Sequence, residues 1–148
     1  MLKGIDRALS ADMLMILMSM GHGDDILVCD VNHPAVSIAK HTTYGKLVNM
    51  SGCDLPRAIE AILSLMPLDT FVENPIQCME VVGDPGRIMP IHDQVQAKVV
   101  TIEGRPVGIQ SLERFAFYEA ARKCFAVVRT SDPGPYGCFI LRKGVVGF

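Results

Sequence analysis

Hydrophobic and polar positions alternate in blocks along the chain. Leu9, Met13, Leu17 and Met20 keep helical spacing, and Leu14, Met15, Ile16 and Met18 fill much of the remaining circumference. The spacing predicts a helix from a Ser10 N-cap to about Met20, with Asp12 near its positive end and Gly21 as its stop. A helix apolar nearly all round is buried on more than one side. In a chain this short, a neighbouring subunit is one source of the second cover. Ile26-Leu27-Val28-Cys29 is too continuous for a half-exposed strand and reads as a buried one, with Asp30 at its C-terminal edge.

Residues 31 to 45 read as a long, partly irregular connection, and Lys46 to Met50 as a short strand. Asp54 caps a helix through about Leu65, with Pro56 tolerated in its first turn. Ile76 to Val82 is a strand and Gly83-Asp84-Pro85-Gly86 a turn. A helix over 90 to 103 is followed by a breaker stretch, Gly104 to Gly108. Ser111 to Lys123 is amphipathic and predicts a helix. Ala126 to Thr130 is a strand, Ser131 to Pro135 a turn, and Tyr136 to Arg142 a final strand. Strands alternating with helices predict an α/β fold, with a mostly parallel sheet flanked by helices. Without repeat or linker, the 148 residues read as a single domain, 1–148.

Composition narrows the possible partners. Hydrophobic residues make up 49% and charged ones 20% of the chain, an apolar excess that fits a large core or buried subunit interfaces. A net charge of -2 gives no electrostatic case for nucleic acid or an anionic membrane. Five scattered cysteines without CxxC spacing argue against a disulfide framework or a zinc knuckle and fit free thiols in a reducing compartment. The run Met13 to Met18 follows Asp6 and Asp12 and is too short to span a bilayer, so the expected location is cytoplasmic.

The chemistry concentrates at Gly21-His22-Gly23-Asp24, Asp30 and the C-terminal third. Flanking glycines leave the His22 ring uncovered by its neighbours, which suits acid/base work near neutral pH. The plainer reading is a histidine capping the last carbonyls of the first helix. Asp30 either orients a ligand hydroxyl or the histidine, or closes an Asx turn after its strand. Arg114 offers several donors to one ligand, or is a solvated helix arginine. Tyr118 shares its helix face, as pocket wall or as core aromatic. Tyr136 leaves a Pro-Gly-Pro turn, where a pocket rim fits. His33, His41 and His92, with Asp30 and Asp93, supply metal-ligand types, but no compact cluster or i,i+4 histidine pair supports a metal. No Walker loop, GxGxxG or GxSxG occurs.

Together these segments resemble the L-fucose mutarotase / D-ribose pyranase family of sugar-ring isomerases. The resemblance rests on MLKGIDRALS at the start, MGHGDD at 20–25, Asp30 followed by HPA at 33–35, and CDLPRAIEAILSLMPLD at 53–69. RFAFYEAARKCFAVV at 114–128 and YGCFILRKGV at 136–145 complete it. GHGD and RFAFYE are closer to the fucose mutarotase branch. The resemblance implies a ribose pyranase / fucose mutarotase-like fold and an isomerase that interconverts aldose anomers by ring opening and closure, without cofactor or metal. It implies His22 as the catalytic proton donor, and Asp30, Arg114 and Tyr136 as substrate-binding residues. Tyr118 joins them as a pocket residue. Cys138 stands where the family motif Tyr-Gly-Asn or Tyr-Ala-Asn has asparagine, and a thiol donates and accepts hydrogen bonds poorly. The resemblance also implies a homo-oligomeric ring, commonly a decamer, with the pocket near a subunit boundary. Pyranose–furanose interconversion of ribose, and sugar binding without catalysis in transport or regulation, are the alternatives.

Overall fold

A computed structural model describes residues 2–147; Met1 and Phe148, the ends of the expected domain, lie outside it. Six strands form one sheet: β1 (Asp25–Cys29), β2 (Leu47–Met50), β3 (Ile76–Met79), β4 (Ile109–Leu112), β5 (Ala126–Thr130) and β6 (Cys138–Arg142). Their order is β2-β5-β1-β6-β3-β4. β1 and β2 pair with β5 in parallel, as β3 does with β4, while β6 runs antiparallel between β1 and β3. The sheet is therefore mixed, mostly parallel, with its one reversed strand in the middle.

Two helical layers cover it. On one face lie α1 (Ala11–Ser19), α3 (Leu55–Leu63) and α4 (Pro90–Glu103). Met13, Ile16, Ile59, Ile62, Val95 and Val99 pack there against Ile26, Val28, Phe139 and Leu141. On the other face lie α2 (Ala35–Ala39) and α5 (Arg114–Arg122), with Ile38, Phe117 and Ala121 against Leu27, Cys29, Val127, Cys138 and Ile140. Alternate residues of β1 and β6 thus face opposite cores, the period-two rule of a strand buried on both sides. All five cysteines are free and buried. Among the described residues no helix is long and apolar enough to cross a membrane.

Several boundaries differ from the sequence expectation. The connection 31–45 contains α2, a five-residue helix too short for a periodic signal. Ser111 and Leu112 belong to β4 rather than to the following helix. That helix starts only at Arg114, because the Glu113 carboxylate accepts hydrogen bonds from the amides of Phe115 (2.8 Å) and Ala116 (3.1 Å). The final strand starts at Cys138, because Tyr136 has φ 61°, the left-handed region a strand cannot use. β3 stops at Met79, and Val81 pairs back with Asp84 across the turn. Only one side of α1 is buried: Met18 is 87% exposed and Met15 47%, so the apolar second face of this helix has no cover among the described residues.

Candidate functional site

A cavity of about 290 Å³ opens at the C-terminal ends of β1 and β3, where β6 begins. The size lies at the lower end of ligand pockets. Asp30, Arg114, Tyr118, Tyr136 and Cys138 all line it, together with Asn32, His33, Met79 and Val82. The structure thus assembles five of the six expected site residues in one place.

Asp30 is 3% exposed. Its Oδ1 accepts from the amides of Asn32 (2.7 Å) and His33 (3.0 Å), and its Oδ2 from that of Gly137 (2.9 Å). The Asx turn anticipated for Asp30 is therefore real, and it coexists with a place on the cavity wall. Three of about four acceptor positions are taken, leaving one on Oδ2 for a ligand. Burial raises the Asp30 pKa, while those three amides pull it down.

Gly137 lies so close to Asp30 and Leu55 that an added Cβ would collide with Leu55 Cδ1 and lie 3.2 Å from Asp30 Cβ. Tyr136, the only non-glycine described residue with positive φ, is held by its hydroxyl, which accepts from the Val82 amide at 3.2 Å. Such a backbone carries strain on the order of 1 kcal/mol or more and persists only where its surroundings hold it.

Arg114 and Tyr118 stand one turn apart on α5. Arg114 is exposed, lies 4.6 Å over the Phe115 ring and makes no ion pair with any described residue. Its donors are available to a ligand. Cys138 is 2% exposed, and burial, with Asp30 nearby, raises its thiol pKa well above the ordinary range. It forms a neutral, weakly polar part of the cavity wall.

His22 is elsewhere. It precedes β1 whereas Asp30 follows it, and five strand residues at about 3.3 Å each put about 17 Å between the two ends. His22 does not cap α1: Lys143 Nζ donates to the Leu17 (2.8 Å) and Met20 (2.5 Å) carbonyls instead. The acid beside His22 is Asp69, not Asp30, with Nε2 3.1 Å from Asp69 Oδ1. The sequence reading missed Asp69; its place after Met66-Pro67-Leu68 gave no signal that it would meet residue 22. The His22 side chain is 47% exposed and that of Asp69 4%. Asp69 Oδ1 also accepts from the Phe71 amide (3.0 Å), and the Phe71 ring lies 5.3 Å from the imidazole. Burial works against the Asp69 charge, but the Phe71 amide, the His22 ring and Arg142 outweigh it and hold the pKa below the usual value. A carboxylate only accepts, so the neutral imidazole carries its proton on Nε2, and Nδ1 is the nitrogen left for proton transfer.

Two other histidines make stability depend on pH. Burial pushes the His33 pKa from 6.5 down to about 4 and lowers that of His92. Between those values the unfolded chain binds more protons than the folded one, so stability falls as pH drops from 6.5 toward 4. For His33 alone the loss is about 2 kcal/mol at pH 5. The raised Asp30 pKa works the other way, adding stability as the pH falls through it. Urea unfolding at pH 7 and pH 5 is expected to show the lower midpoint at pH 5; an equal or higher midpoint would contradict this.

Comparisons agree with the geometry. The human fucose mutarotase is 40% identical over 149 residues, covering 98% of this chain and 94% of that protein. The structure of FucU from Bifidobacterium longum superposes with a TM-score of 0.89 at 38% identity, covering 97% of this chain and 99% of the other. A fucose mutarotase from Streptococcus pneumoniae, solved in complex with L-fucose, matches with a TM-score of 0.85 at 38% identity, covering 98% and 99%. Residues 3–146 match the profile of the RbsD / FucU transport protein family, and the chain belongs to that family.

Proposed function

We propose that this chain, as one domain over 1–148, is a cofactor-free isomerase that interconverts the α and β anomers of L-fucose or a similar aldose. The observation that carries the reading is the cavity, where Asp30, Arg114, Tyr118 and Tyr136 converge on a space of monosaccharide size. The relatives named fucose mutarotase, one of them solved with L-fucose, support the substrate class.

Opening a pyranose ring requires a proton at the ring oxygen and removal of one from the anomeric hydroxyl. His22 supplies the first from Nδ1, its ring held in place through Nε2 by Asp69. Tyr118 or a water it holds takes the second. Asp30 Oδ2, Arg114 and Tyr136 grip the other hydroxyls. Proton transfer works only within hydrogen-bond reach, and within one copy His22 and the cavity lie at opposite ends of the strands. We therefore assign His22 to the cavity of a neighbouring copy. A contact that joins opposite ends of two copies is head-to-tail, and such contacts close into rings when their rotation permits. A ring, with the decamer expected from the resemblance, follows from this reading; the cytoplasmic location is proposed beside it from the five free cysteines.

One observation favours a second reading, sugar binding without catalysis. Cys138 sits on the cavity wall where an asparagine would offer a donor and an acceptor. Saturation-transfer NMR on the anomeric protons decides. Transfer between the α and β pyranose signals of L-fucose, enhanced by the protein, is expected. Enhancement confined to ribose pyranose and furanose signals would instead indicate a pyranase. Binding with no enhancement would indicate the second reading.

A further inference from the structure

The proposed reaction leaves one histidine of the cavity unused. His33 lines the wall between Asn32 and Pro34 and is 9% exposed. Its ring stands edge-on to Phe117, with centroids 5.9 Å apart, and tilted against Tyr118 at 5.6 Å. Its Nε2 is buried and has no hydrogen-bond partner among the described residues. An unpartnered buried nitrogen weakens a fold unless something else uses it, and an apolar ring would fill this space between aromatics as well. Much of the remaining lining is poor in hydrogen-bonding side chains: Met79, Val82, Pro135 and Cys138. Of the polar groups, Asp30 is largely taken by backbone amides and the Tyr136 hydroxyl already meets the Val82 amide.

We propose that His33 is a substrate-binding residue, its imidazole hydrogen-bonding a hydroxyl of the bound aldose, and that with Cys138 it sets which aldose the cavity prefers. The inference rests on the sugar-handling reading of this cavity. A hydroxyl suits a neutral imidazole, which offers one donor and one acceptor. Burial keeps the ring neutral at pH 7, so His33 holds the sugar and does not exchange protons with it.

The test compares wild type with His33→Phe, which keeps ring and volume but removes both nitrogens, and with His33→Gln, which restores a donor and an acceptor. Exchange is followed by saturation transfer over a concentration series of L-fucose, D-ribose and D-galactose, alongside urea unfolding. For His33→Phe we expect an unfolding midpoint equal to or above wild type, KM for the preferred sugar raised about tenfold, and kcat nearly unchanged. His33→Gln is expected to recover part of the lost affinity. If His33→Phe does not fold, His33→Met is judged by the same criteria. A folded variant with unchanged KM overturns the proposal, as does a loss of affinity matched by an equal loss of stability, the signature of a structural histidine. A wild type that neither binds nor exchanges any of the sugars overturns the proposed function and this inference with it.

Discussion

Replacing His22 with alanine slows anomer exchange by about 10²–10⁴-fold, the range that one positioned acid/base group contributes, and leaves the protein folded. The side chain is about half exposed, and its one hydrogen-bond partner among the described residues, Asp69, keeps the Phe71 amide when the imidazole is gone. The affinity of the cavity for sugar is expected to survive, because Asp30, Arg114 and Tyr136 are untouched. Saturation transfer, a thermal melt and sugar titration together check this. Exchange at the wild-type rate in a folded variant would remove His22 from the mechanism.

Activity returns when two inactive variants are mixed. His22→Ala keeps an intact cavity, and Arg114→Ala keeps an intact histidine. Arg114 is exposed and bonds no acid, so its loss falls on ligand binding rather than on folding. If the histidine serves a neighbour's cavity, a ring assembled from equal amounts of both variants contains some contacts where intact His22 faces an intact cavity. For random assembly around head-to-tail contacts that share is about one quarter. The expected exchange rate is therefore about a quarter of wild type after co-expression or joint refolding, far above the mean of the separate variants. If each copy used its own His22, every site would carry a defect and mixing would restore nothing.

Legibility in the sequence followed burial. β1, β5 and α3 were readable because their apolar residues face a core on fixed periods, and their caps, such as Asp54 bonding the Arg57 amide at 2.9 Å, are local. α2 was invisible because five residues make less than two turns. β4 was lost because it is an edge strand with polar Gln110 and Ser111, running without a break into the amphipathic pattern of α5. The reversed direction of β6 had no local signature, since strand polarity is decided by partners far away in the chain. The site divided in the same way. Asp30, Arg114, Tyr136 and Cys138 of the lining could be named from the family resemblance and Tyr118 from its helix face, but the Asp69–His22 pair joins positions 47 apart, and no spacing rule reaches that far. The separation of His22 from Asp30 was concealed by their closeness in sequence: eight residues look near on paper, and a strand makes them far.

The packing of Gly137 against Leu55 and Asp30 bears on how this cavity can diversify over evolutionary time. A side chain added at 137 would force the Leu55 methyl to move and press on the aspartate of the cavity at 3.2 Å. The next residue is under no such constraint from its backbone: position 138 sits in regular strand geometry with its side chain on the wall. Drift in substrate preference is thereby channelled into 138 and into side chains across the cavity, while the hydrogen bonds between Asp30 and Gly137 stay constant. Descendants of this chain can change the sugar they accept without rebuilding the scaffold that holds it.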